Sequence, residues 1–75
     1  MSYFETIAMP DYTIIVTESG NYTYIGKAIP GSVTSSGVWQ VKRLDESSGL
    51  ITTWADGNSD FDNIWDDRES LSYST

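Results

Sequence analysis

The sequence predicts an all-β fold: a small antiparallel sandwich or barrel of 4–5 short strands, with at most one helical turn near residues 60–66. Turn-forming residues recur at short intervals, and the stretches between them are rich in β-branched and aromatic side chains. Strands spaced by about 8–12 residues, without a long helical period, are typical of sandwiches and barrels. A chain of 75 residues forms at most one small domain.

The turn signals separate four predicted strands. They lie at residues 12–17, 22–28, 38–44 and 50–55, and residues 70–74 would add a fifth. The connections between them are short enough for each strand to pair with the next, so we expect an antiparallel meander.

The first predicted strand contains three consecutive aliphatic residues, Ile14, Ile15 and Val16. Because successive side chains of a strand point to opposite faces, apolar groups lie on both sides of it. Either both faces are covered within the chain, or one of them meets a partner. Residues 1–11 are predicted to form an N-terminal arm that precedes a single β domain of residues 12–75.

The arm is apolar enough to cover the first strand, or to share in a contact with a partner. The candidate interface residues are therefore drawn from the arm and the first strand. They are Tyr3, Phe4, Ile7, Ile14, Ile15 and Val16.

The third predicted strand alternates in character. Trp39, Val41 and Arg43 share one face, and Gln40 and Lys42 share the other. This alternation is typical of a strand with one buried and one solvated face.

One short segment has helical spacing. Phe61, Ile64 and Trp65 stand at i, i+3 and i+4, and Ser59 or Asp60 can serve as the N-cap. We expect a single helical turn that plugs one end of the sheet. The three tryptophans are expected to build the core, and an interface role is the alternative for them.

The composition excludes several kinds of chemistry. The chain has no cysteine and no histidine, so it cannot form disulfides, thiolate or imidazole zinc sites, or Ser-His and Cys-His catalytic pairs. We therefore expect that the protein is not an enzyme. No apolar run approaches the roughly 20 residues of a membrane span, so no membrane partner is expected. The N-terminus does not resemble a secretory signal.

The charge is strongly acidic and unevenly distributed. The chain has four basic and eleven acidic residues, which give a net charge of −7. Residues 1–44 are neutral, and residues 45–75 carry eight acids against a single base, Arg68. Binding to nucleic acid requires a basic surface, which this composition does not offer. No nucleic-acid partner is expected.

The acidic segment has part of the spacing of a calcium-binding loop. Residues at positions 1, 3, 5, 7 and 12 of such a loop supply its ligands, and the matching residues here are Asp56, Asn58, Asp60, Asp62 and Asp67. The motif departs from the pattern at position 6, where Phe61 replaces glycine, and at position 12, where aspartate replaces glutamate. We expect no cofactor and a solvated acidic loop, with a bound calcium ion as the alternative.

Much of the chain resembles a group of small virion-associated proteins, of structural or tail type, from tailed bacteriophages. The resemblance runs from Tyr22 to Tyr73 and follows the order YIGKA, WQxKR, ADG, FDxxWDDR and LxY. It implies a structural part of a virus particle. It implies no catalytic residues.

These observations together favour a non-enzymatic structural component of a tailed-phage virion. We expect it to be tail-associated (fibre, baseplate or neck), made in the host bacterial cytoplasm and located in the virion. Its expected partners are other virion proteins and further copies of itself in a homo-oligomer. Two alternatives remain: an acidic viral inhibitor or mimic that binds a host protein, and a small calcium- or glycan-binding module.

Overall fold

The computed structural model describes residues 11–75, which contain six strands and one short 3-10 turn. The strands are β1 (Thr13–Ser19), β2 (Tyr22–Ala28), β3 (Gly37–Asp45), β4 (Ile51–Ala55), β5 (Asn63–Ile64) and β6 (Tyr73–Ser74), and the 3-10 turn is Trp65–Asp67. The all-β class is confirmed. The candidate interface residues Tyr3, Phe4 and Ile7 lie outside the described residues.

The strands form a mostly antiparallel meander. The sheet order is β1-β2-β3-β4-β6, and β5 pairs with the N-terminal end of β3. Among the described strands, β1 therefore lies at one edge of an open sheet and β6 lies at the other. The register places Ile15 opposite Gly26, and Gly26 opposite Val41.

A tight hairpin joins β1 to β2. Ser19 pairs with Tyr22, which leaves a two-residue connection of Gly20 and Asn21. Gly20 has a φ of +63°, and glycine at the first central position is the requirement of a type II′ turn. This turn type matches the right-handed twist of the flanking strands, so the hairpin closes without splaying.

The core lies on one face of the sheet. Its buried hydrophobic residues come from β2, β3, β4 and the 3-10 turn: Tyr24, Ala28, Trp39, Val41, Ala55 and Trp65. The ring centroids of Trp39 and Trp65 are 6.2 Å apart. Trp65 rests on β2 at Gly26, where a Cβ would lie 2.5 Å from Trp65 Cε3. Glycine is thus required at this position for the tryptophan to close the core.

Arg43 shares the core face with Trp39 and Val41, as the alternation in the third strand predicts. Its guanidinium carbon lies 4.2 Å from the ring centroid of Tyr22 and 4.4 Å from that of Tyr73. A planar guanidinium stacks favourably on aromatic faces. The two tyrosines therefore accommodate a cation at the end of an otherwise apolar core.

The helical turn lies at the C-terminal end of the segment in which it was predicted. Asn63 and Ile64 are strand residues that pair with β3, and the 3-10 turn starts at Trp65. Ile64, in an extended conformation, precedes the turn without a side-chain cap, so the predicted caps Ser59 and Asp60 are not used. Strand pairing with β3 occupies the residues that a helix starting near Phe61 would need.

Candidate functional site

The face of the sheet opposite the core carries an unusual mixture of aliphatic, aromatic and cationic side chains. We call it the outer face. The register places its residues side by side across β1 to β4. They include Ile14, Val16, Glu18, Ile25, Lys27, Gln40, Lys42 and Trp54.

The apolar part of the outer face is most exposed at β1. Ile14 is 60% exposed and Val16 is 59% exposed, and they lie opposite Lys27 and Ile25 of β2. Ile15, the aliphatic residue between them, points the other way and packs against the core. The three consecutive aliphatics of the first predicted strand are thus divided between the two faces, with Ile14 and Val16 open to solvent.

An open groove of about 330 Å³ runs across the outer face. Its lining consists of Ile14, Ile25, Lys27, Gln40, Lys42 and Trp54. The ammonium of Lys27 lies 4.8 Å from the centroid of the Tyr12 ring, and that of Lys42 lies 5.4 Å from the centroid of the Trp54 ring. Both lysines of the chain therefore line this groove, so its lining is basic in a protein of net charge −7.

The acidic loop that follows β4 reaches the end of the outer face. The Phe61 ring stacks on the Tyr12 ring with centroids 5.6 Å apart. The Gln40 side-chain amide donates a hydrogen bond to the Ser59 carbonyl at 2.9 Å. The acidic second part of the sequence therefore contacts the beginning of β1. The neutral and acidic parts of the sequence do not form two separate sides of the molecule.

The candidate calcium ligands lie in this loop and in the 3-10 turn, where all are exposed: Asp56, Asn58, Asp60, Asp62 and Asp67. Several of their side-chain oxygens serve local hydrogen bonds. Asn58 Oδ1 accepts from the Asp60 N–H at 2.9 Å, and Asp62 Oδ1 accepts from the Asn63 side chain at 3.3 Å. No group of three or more acidic side chains suited to a metal ion occurs within residues 11–75.

Two ionisable groups within residues 11–75 have shifted pKa values, and hydrogen bonding or burial explains each shift. Hydrogen bonds from the Ser47 hydroxyl and N–H lower the pKa of Asp45. Burial raises the pKa of Tyr73 to about 12, and its hydroxyl donates to the Arg68 carbonyl at 2.7 Å.

Sequence reasoning identified some residues of the groove and missed others. The alternation of the third strand assigned Gln40 and Lys42 to a solvated face, where they lie. Trp54 was expected in the core with the other tryptophans, but it is half-buried and lies beside Lys42 on the outer face. Its side follows from the register between β3 and β4, which the spacing of residues in the sequence does not reveal.

Comparison with known proteins gives no match: no protein-family model matches the chain, and no curated protein or solved structure is significantly similar to it. Among the described residues, no helix combines the length and hydropathy needed to cross a membrane. The geometry of the outer face and the residue patterns of the sequence are the observations that bear on function.

Proposed function

We propose that the protein is a non-enzymatic structural component of a tailed-phage virion, associated with the tail (fibre, baseplate or neck). It acts by packing its β domain against neighbouring subunits. The observation that carries the proposal is the exposed apolar surface at β1, where Ile14 and Val16 lie side by side next to the groove. The resemblance of residues 22–73 to small phage virion proteins supports the same assignment.

Scattered exposed aliphatic residues are ordinary on protein surfaces, but these two adjoin each other and the groove. Fully burying an aliphatic side chain is worth roughly 1.5–3 kcal/mol. Covering the exposed 60% of Ile14 and 59% of Val16 would therefore stabilise a subunit contact by about 2–4 kcal/mol in total. This gain adds to the burial of other groups at the contact, and their sum must exceed the loss of translational and rotational freedom on association.

The charge distribution is compatible with a protein partner. The two lysines of the groove, Lys27 and Lys42, can pair with carboxylates of a neighbouring subunit, which gives specificity in addition to apolar burial. The exposed aspartates of the β4–β5 loop and the 3-10 turn remain toward solvent or meet a basic partner surface. We propose other virion proteins and further copies of the chain as partners, and the virion as its location.

The proposal is tested by mass spectrometry of gradient-purified phage particles from a lysate in which the gene is expressed. The particles are dissociated and tails are separated from heads before measurement. We expect the protein to be enriched with tail proteins, at a level well above a non-assembled protein from the same lysate, which serves as the control for carry-over. Recovery with heads would contradict the placement on the tail. A level equal to the carry-over control would refute a structural role.

A further inference from the structure

The edge of the sheet at β1 has backbone groups directed away from β2 at regular positions. In the type II′ hairpin, the Ser19 carbonyl accepts from the Tyr22 N–H, so Ser19, Thr17, Ile15 and Thr13 are the residues that hydrogen-bond β2. A second hydrogen bond supports this assignment: the Asp56 N–H donates to the Ser72 carbonyl at 2.7 Å. Residues of an antiparallel strand bond alternately to the strand on one side and the strand on the other. Starting from this bond, the registers of β4, β3 and β2 assign the same residues of β1 to β2. The N–H and C=O groups of Ile14, Val16 and Glu18 therefore point outward.

Within residues 11–75, β1 itself lacks the features that usually protect an edge strand. Proteins block such edges with short strands, prolines, bulges or several charges. β1 is seven residues long and pairs with β2 without a register shift. It contains no proline, and Glu18 is its single charged residue. The opposite edge strand, β6, has only two residues. The β1 edge is therefore the better template for adding another strand.

We propose that the β1 edge binds a second copy of the same chain. The two β1 strands pair antiparallel about a two-fold axis at Ile15, so that Ile14 lies opposite Val16 of the partner subunit. This inference rests on the proposed function and identifies one of its neighbouring subunits. The backbone groups of Ile14 and Val16 point outward, so Ile14 of each copy can form backbone hydrogen bonds with Val16 of the partner subunit. The exposed aliphatic side chains of the two copies become one continuous apolar patch.

The proposed register brings opposite charges together. It places Glu18 opposite Tyr12 of the partner subunit. In each copy the ammonium of Lys27 lies 4.8 Å from the centroid of the Tyr12 ring, so an acid of one copy meets a base of the other. At about 3.4 Å per residue, the two Glu18 side chains are roughly 20 Å apart along the strands, beyond the screening length of about 8 Å at physiological salt.

The first test is cross-linking of single cysteine variants in the full chain, which has no cysteine of its own. In the proposed pairing, Ile15 lies opposite its own symmetry mate as a non-hydrogen-bonded pair, with Cα atoms about 4.5 Å apart. That distance lies within the range of disulfides, about 4.4–6.8 Å. Under mild oxidation, Ile15→Cys should convert largely to a covalent dimer of twice the 8.4 kDa chain mass.

Val33→Cys is the matched control, because Val33 is exposed and lies outside the strands, between β2 and β3. A half-buried cysteine at position 15 that cross-links much faster than this exposed one indicates β1 pairing. Ile14→Cys should cross-link more slowly than Ile15→Cys, because it is offset from the two-fold axis. Equal or slower cross-linking of Ile15→Cys relative to Val33→Cys would overturn the inference.

The second test is the mass in solution by light scattering over a range of protein concentrations, at low and high salt. We expect a dimer for the unchanged chain. Val16→Lys should raise the dimer dissociation constant by about tenfold or more, because a lysine ammonium would lie among aliphatic side chains. Val33→Lys, at 58% exposure against 59% for Val16, should leave it unchanged. A chain that stays monomeric at all concentrations would overturn the inference.

The two proposals fail separately. A dimer in solution that is missing from purified particles contradicts the proposed function and leaves β1 pairing intact. A monomer in solution that is nevertheless incorporated into particles contradicts β1 pairing and leaves the virion role intact.

Discussion

Replacement of Gly26 by alanine should destabilise the fold, because the tryptophan that closes the core rests directly on this glycine. Gly26 lies in β2 between Ile15 and Val41 of the neighbouring strands. A Cβ at this position would lie 2.5 Å from Trp65 Cε3, 2.7 Å from Trp65 Cζ3 and 3.2 Å from Trp39 Cε3. Non-bonded carbon atoms normally approach to about 3.5–4.0 Å, so the Trp65 ring would have to move by about 1 Å.

The movement is costly because both tryptophans are packed on all sides. Trp65 is 4% exposed and Trp39 is 1% exposed. Forcing an extra methyl group into a packed core typically costs about 1–3 kcal/mol. Changing glycine to alanine also lowers the entropy of the unfolded chain, which stabilises the folded state by about 0.4–1 kcal/mol. We therefore expect the free energy of unfolding to fall by about 1–2 kcal/mol, which lowers Tm by roughly 5–15 °C in a domain of this size.

Thermal and urea unfolding followed by tryptophan fluorescence measures this effect, because both affected rings are reporters. Gly37→Ala is the matched control. A Cβ at Gly37 would lie 3.7 Å from the Asp62 carbonyl oxygen and 3.7 Å from Ile64 Cγ1, which is ordinary contact, so its Tm should stay the same or rise slightly. If the two variants melt within about 2 °C of each other, Trp65 is not held against β2 as described, and the reasoning is refuted.

Two further predictions concern pH and calcium. Because burial raises the pKa of Tyr73 to about 12 from its usual 10.0, the unfolded chain loses this proton at lower pH than the folded chain. The free energy of unfolding should be insensitive to this group below pH 10.0 and fall between pH 10.0 and about pH 12. Tyr73→Phe should show a smaller alkaline fall in urea unfolding, and an equal fall would argue against the assignment. Tm should be the same in millimolar calcium and in chelator, because oxygens of Asn58 and Asp62 already accept local hydrogen bonds. A chelator-sensitive Tm would favour the calcium-binding alternative.

The strands were predictable because their signals are local. The second predicted strand, residues 22–28, has the same bounds as β2, and the third, residues 38–44, is one residue shorter than β3 at each end. Side-chain alternation and flanking turn residues report on a few neighbouring positions, and such positions determine where a strand begins and ends. The last predicted strand, residues 70–74, shortens to Tyr73–Ser74, since only these residues pair with β4.

The segment around Phe61 was harder to predict because two structures compete for it. Phe61, Ile64 and Trp65 form an apolar stripe in a helix, yet Asn63 and Ile64 can also pair with β3. The deciding contacts, Gly37 with Ile64 and Trp39 with Asn63, join residues more than twenty positions apart. Phe61 then turns away from the core and stacks on Tyr12. Local spacing does not contain this information.

The candidate interface illustrates where sequence reasoning reaches its limit and what the fold adds. Three consecutive aliphatics in the first strand indicated that one face meets either the rest of the chain or a partner, without distinguishing them. Strand order resolves part of this choice, because it places β1 at the edge of the described sheet, and register assigns Ile15 to the core and Ile14 and Val16 to solvent. The hairpin turn then determines which backbone groups point outward. These are the groups of Ile14 and Val16, so the positions whose backbone groups have no partner among the described strands are also those with exposed apolar side chains. A partner strand that pairs with this edge would bond these backbone groups and bring Ile14 of one copy against Val16 of the partner subunit. An occupant of the outer face alone would contact the side chains and leave the backbone groups without a partner strand.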